Sequence, residues 1–127
     1  MEEKQTTEII DERLVDESVI QQVIEDTCAE VLPELIDHYL SESALRIDKI
    51  IHAIDQKDAP TLEFETHTLG SSALALGNRP LSNLARKIEH LCLDGMNDEA
   101  YALRDDLIEL AKASLAAIKM RKQQGFQ

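Results

Sequence analysis

Residues 33–54 read PELIDHYLSESALRIDKIIHAI, and their apolar members recur at helical spacing. Leu35, Ile36, Tyr39, Leu40, Ile47, Ile50, Ile51 and Ile54 form one stripe close to a 3.6-residue period, with charged residues between them. Pro33 suits the first turn of a helix, where its missing N–H costs no hydrogen bond. Gln56-Lys57-Asp58 closes the segment, and Asp58 can cap the next helix, with Pro60 in its first turn. One long amphipathic helix of this kind must bury its stripe against others.

Working outward, the same period recurs on both sides. Asp16 can cap a short helix over 17–31, with Val19, Ile20, Val23, Ile24 and Ala29 or Cys28 on its apolar side. A third helix covers 59–76 and stops at Gly77-Asn78. A fourth runs from Pro80 to Leu93 with Leu81, Leu84, Ala85, Ile88, Leu91 and Cys92 inward, and Asp94-Gly95 ends it. Asn97 then caps a fifth helix reaching Arg121, with Leu103, Leu107, Leu110, Ala111, Leu115 and Ile118 inward. Four long helices with short connections predict an all-α fold: an antiparallel up-down-up-down four-helix bundle, with a short additional N-terminal helix across one end. Residues 1–15 are expected to be an acidic, partly ordered arm, 16–121 the bundle, and 122–127 a frayed tail.

Composition agrees. The 127 residues include 4 Gly, 3 Pro and no Trp, with 3 % aromatics, which disfavours a β-sandwich. Thirteen basic against twenty-five acidic residues leave a net charge of −12, so nucleic acid and anionic membrane surfaces are poor partners. No apolar run approaches the ~20 residues of a membrane span, and Met1-Glu2-Glu3-Lys4-Gln5 is no signal sequence, so a cytoplasmic location is expected. Cys28 and Cys92 lack zinc-type spacing and are expected to be reduced core thiols.

The third helix is the informative one. Phased at about 100° per residue, Leu62, Thr66, Leu69, Ala73 and Leu76 make a core stripe, and His67 lies about 200° from Leu69, turned outward. Its helical neighbours are Glu63, Phe64, Gly70, Ser71 and Leu74. Gly70 costs about 1 kcal/mol in a helix interior relative to Ala, yet with Ser71 it leaves one side of the ring clear. An outward histidine flanked by apolar Phe64 and Leu74 is either a docking nucleophile or a plain surface residue. A metal site is disfavoured: Glu63 and His67 are spaced i,i+4, but no Glu-x-x-His occurs and the ring faces away from the bundle interior. His38, His52 and His90 have no motif around them.

The run His67-Thr68-Leu69-Gly70-Ser71-Ser72-Ala73-Leu74-Ala75-Leu76-Gly77, followed by Leu81 and Ile88-Glu89, resembles the histidine-containing phosphotransfer (HPt) domain of multistep two-component relays. The resemblance extends over 17–118 through the helical plan. It implies a phosphoryl carrier, not an autonomous kinase. His67 would accept phosphate from the aspartate of one receiver domain, in a sensor (hybrid) kinase, and pass it to the receiver of a response regulator. It implies no cofactor of the chain's own, magnesium coming with the receiver, and a monomer. An imidazole titrates near ~6.5 when unperturbed, so the neutral ring is a competent nucleophile at cytoplasmic pH. Glu89 occupies the family position whose side chain often accepts from Nδ1–H, which would leave Nε2 to attack. Glu63, Phe64, Gly70, Ser71 and Leu74 would form the regulator-docking face. The pattern departs at Gly70, where relatives usually carry a lysine that assists the phosphoryl group. Arg46, Lys49, Arg86, Lys87 or the receiver could supply that charge. The departure also keeps open a degenerate module that binds receivers without carrying phosphate, and, from another class, a metal-binding bundle.

Overall fold

The computed structural model describes residues 10–126. The described chain is all-helical: α1 (Glu17–Asp26), a 3₁₀ turn (Ala29–Val31), α2 (Leu32–Asp55), α3 (Ala59–Ala75), α4 (Arg79–Leu93), α5 (Asn97–Tyr101) and α6 (Arg104–Gln123). Helices α2, α3, α4 and α6 pack as neighbours around one core, with the α3–α4 contact the most extensive. Ile36, Tyr39, Ile50 and Ile54 of α2 face Leu62, Leu69 and Ala73 of α3, Leu81, Ala85 and Ile88 of α4, and Leu107, Ala111 and Ile118 of α6. The bundle and its extra N-terminal helix are those expected from the periodicity. No helix among the described residues is long and apolar enough to cross a membrane.

Several local features differ from expectation. The helix expected over 17–31 ends at Asp26: Thr27 leaves the helical backbone region at φ −125° and ψ −106°, while its N–H and hydroxyl still bond the Val23 carbonyl. Cys28 follows in extended backbone and is exposed, and Cys92 is half-buried, so the two are not both core thiols. Leu35 is exposed, and Leu32 takes the buried place at the start of α2. The single helix expected from Asn97 to Arg121 is broken at Ala102–Leu103, where the Leu103 N–H bonds the Ala100 carbonyl in a tighter turn. Past the break, Arg104 bonds Asp55 at 2.9 Å and ties α6 to the end of α2. The sequence predicts a frayed tail from residue 122, whereas α6 continues to Gln123. There Arg121 bonds Glu17, donates to the Gly125 carbonyl and covers the Phe126 ring at 4.7 Å. Of the expected N-terminal arm, residues 1–9 lie outside the described residues, while Val15 is buried and Ile10 and Leu14 pack against the core.

One buried polar knot holds the end of the bundle where α3 turns into α4. Asn78 is fully buried; its Oδ1 accepts from the Tyr39 hydroxyl at 2.7 Å, and its Nδ2 donates to the Leu14 and Ser114 carbonyls. Burying an amide is costly unless it is bonded, and here both ends are, so three segments are fixed to one residue.

Candidate functional site

Helix α3 is closed at both ends. Asp58 accepts from the Thr61 backbone N–H at 3.2 Å and from its hydroxyl at 2.7 Å, with Pro60 in the first turn. At the other end Gly77 sits at φ 85°, its N–H bonds the Leu74 carbonyl, and the Asn78 N–H bonds that of Ala73. That pair of bonds is a Schellman motif, which requires a left-handed residue and so favours glycine. The helix between them is rigidly framed.

Its burial pattern leaves little free surface. Leu62, Glu65, Thr66, Leu69, Gly70 and Ala73 are buried, whereas Phe64, His67, Ser71, Leu74 and Ala75 are exposed. Phe64, His67, Ser71 and Leu74 thus line one outward stripe at three- and four-residue steps. Phe64 is 63 % exposed, the most exposed of the large hydrophobic residues among the described residues. The hydroxyls of Thr68 and Ser71 turn back onto the carbonyls of Phe64 and His67 and leave the imidazole unencumbered.

Nδ1 of His67 lies 2.8 Å from Oε2 of Glu89 on α4. An ionised carboxylate can only accept, so in a neutral ring this contact favours the tautomer with the proton on Nδ1 and the lone pair on Nε2. Nε2 has no hydrogen-bond partner among the described residues. The His67 side chain is 61 % exposed and that of Glu89 only 12 %, so the carboxylate is sheltered and the ring is presented. Among the described residues no three His, Cys, Asp or Glu side chains gather where they could hold a metal ion.

The remaining expected site residues separate into surface and interface. Ser71 and Leu74 are exposed beside the ring; Glu63 is half-buried near Cys92, whose thiol is pushed up by burial and by the Glu63 charge. Gly70, expected on the docking face, is buried instead. Its carbonyl accepts from the Ser82 hydroxyl at 2.7 Å, and the missing side chain makes room for Arg86 of α4. It is a close-approach residue of the α3–α4 contact, the reason a helix-interior glycine is tolerated there. Of the cations considered, Arg46 is held by buried Glu65 at 2.7 Å, while Lys49 and Lys87 are exposed. Glu65 had no signal in the sequence that set it apart from a solvated acid. A groove between α2 and α3 is lined by Leu35, Tyr39, Arg46, Ser72 and Leu76, with no residue of α4.

Comparison with known proteins follows the same geometry. The Hpt domain family matches residues 34–121. Among solved structures, the crystal structure of histidine-containing phosphotransfer protein B (HptB) from Pseudomonas aeruginosa PAO1 superposes with a TM-score of 0.75 at 21 % identity. The match covers 87 % of this chain and 96 % of that one, a likeness of fold. No curated protein matches the sequence.

Proposed function

Since the chain belongs to the Hpt domain family, we propose that it is a phosphoryl carrier that takes phosphate from a receiver-domain aspartate onto His67 and yields it to a second receiver. The observation that supports this reading most is the exposed ring whose Nδ1 is held by a sheltered carboxylate. In the forward step the Nε2 lone pair bonds phosphorus, the P–O bond of the acyl phosphate breaks, and its electron pair returns to the receiver's carboxylate. The ring gains a positive charge, which the Glu89 carboxylate stabilises across the Nδ1–H bond. In the return step a receiver carboxylate oxygen attacks phosphorus, the N–P bond breaks, and neutral imidazole is restored. Such transfers pass through a loose transition state, so presentation and charge neutralisation carry most of the acceleration.

Phe64, Ser71 and Leu74 would meet the receiver around the ring, with Glu63 at the rim. The receiver would bring magnesium. The carrier would act as a monomer, in the cytoplasm, with no kinase activity of its own. The test is incubation with receiver domains phosphorylated in vitro. Acid-labile label on this chain, lost in His67→Gln, is the expected result. Receivers that dock, but leave no label with any regulator tried, would replace the carrier by a module that regulates through binding alone.

A further inference from the structure

A phosphoryl group arriving at His67 is a dianion on a chain of net charge −12, and the nearest carboxylate, Glu89, repels it. A cation of this chain beside it would offset that repulsion. Five of the six arginines pair with a carboxylate: Arg13 with Asp11, Arg46 with Glu65, Arg79 with Asp16, Arg104 with Asp55 and Arg121 with Glu17. Arg86 has no acidic partner among the described residues. Its one hydrogen bond is a long contact of 3.4 Å from Nε to the Ser82 hydroxyl. It is also half-buried, so most of a fixed fork of donors is left unspent.

Its position is set by Gly70. A Cβ placed on Gly70 would lie 3.1 Å from Cγ of Arg86 and 3.6 Å from Nε, so the arginine stem occupies the notch that the glycine leaves. Residues three apart on a helix have Cβ atoms about 5–6 Å apart, which sets this notch beside the His67 side chain. Arg86 also precedes Glu89 by three residues on α4. The two helices therefore run a short antiparallel ladder, Glu89 against His67 and Arg86 against Gly70.

We propose that Arg86, laid across Gly70, is the cation that binds the phosphoryl group at Nε2 of His67. The assignment rests on His67 being the phosphoryl acceptor. A guanidinium is always charged and can offer two parallel N–H bonds to phosphoryl oxygens, which suits the role.

Phosphoramidate tests it without any receiver. The Nε2–P bond forms, the P–N bond of the donor breaks and ammonia leaves, so the rate reports only this chain's residues. Arg86→Gln, which keeps a side chain over Gly70 but no charge, should slow labelling on the order of tenfold, and Arg86→Lys should lose less. Gly70→Lys placed in an Arg86→Ala background should recover rate, because the ammonium then rises from the vacated notch. The ¹⁵N signature of His67 must stay that of the Nδ1–H ring in Arg86→Gln. A change there would assign the loss to disturbed packing and overturn the proposal. Wild-type labelling by Arg86→Gln, or no recovery by the added lysine, would overturn it too. Absence of label on the wild-type protein would remove the acceptor reading and this assignment together.

Discussion

Replacing Glu89 by alanine removes the acceptor that faces Nδ1 of His67 at 2.8 Å. A sheltered hydrogen bond to a charged group contributes about 1.5–3 kcal/mol. Here one partner is 12 % exposed and the other 61 %, and solvent screening brings the expected contribution to about 1 kcal/mol. At 1.36 kcal/mol per factor of ten, that is about a fivefold bias between the two ring tautomers. The same bond stabilises the cationic ring of the transition state, so the transfer rate should fall by about as much. Long-range ¹H–¹⁵N spectra of the neutral ring read the tautomer directly: relative to Glu89→Ala, the wild type should be shifted toward Nδ1–H by about that factor. Glu89→Gln, which keeps a neutral acceptor, should lie between them. Identical ¹⁵N shifts and identical labelling rates in wild type and Glu89→Ala would refute the orienting role.

Three further substitutions probe the frame that presents the ring. Gly77→Ala forces a side chain into φ 85°, with its Cβ 3.0 Å from the Asp16 carbonyl. The left-handed residue alone costs about 1–2 kcal/mol, to be read from the midpoint of urea unfolding; an unchanged midpoint contradicts the role given to Gly77. Glu65→Ala leaves the Arg46 guanidinium, whose side chain is 19 % exposed, with only a 4.0 Å contact to Glu42. The cost should be about 2–3 kcal/mol, below that of a fully buried pair, and Arg46→Ala/Glu65→Ala should cost less than the sum of the single changes. Hydrogen bonds from Ser18 and Arg79 hold the Asp16 carboxyl down to about 2. Because the folded value is the lower one, its stabilisation is present above the usual carboxylate range and is lost as pH falls toward about 2. The stability gap between wild type and Asp16→Asn should therefore narrow across that window in acid unfolding curves, and a gap that stays constant would count against the ion pair.

Periodicity made most of the fold legible, because stripes such as Leu62, Thr66, Leu69 and Ala73 repeat at the helical period and are buried together. His67 follows from the same phase: a residue opposite the stripe must face outward. Gly77-Asn78 announced the end of α3, but not that Asn78 would be buried in a three-way knot, since its partners come from distant segments. The break at Ala102–Leu103 carries no Gly or Pro to signal it, and it lies between Ala100 and Leu107, both buried. Gly70 misled for a related reason. It borders both the core stripe and the outward stripe, and only the approach of Ser82 and Arg86 from α4 turns it inward. The Arg46–Glu65 pair likewise depends on how α2 crosses α3, which helical phase within one segment does not specify.

The claim on which the rest depends is that Nε2 of His67 takes the phosphoryl group. ³¹P–¹⁵N correlation spectra of the ¹⁵N-labelled protein, after transfer from a phosphorylated receiver, locate the bond directly. The expected spectrum shows one phosphohistidine, with phosphorus coupled to Nε2 of His67 and the proton still on Nδ1. Phosphorus on Nδ1, on another residue, or on none would contradict it.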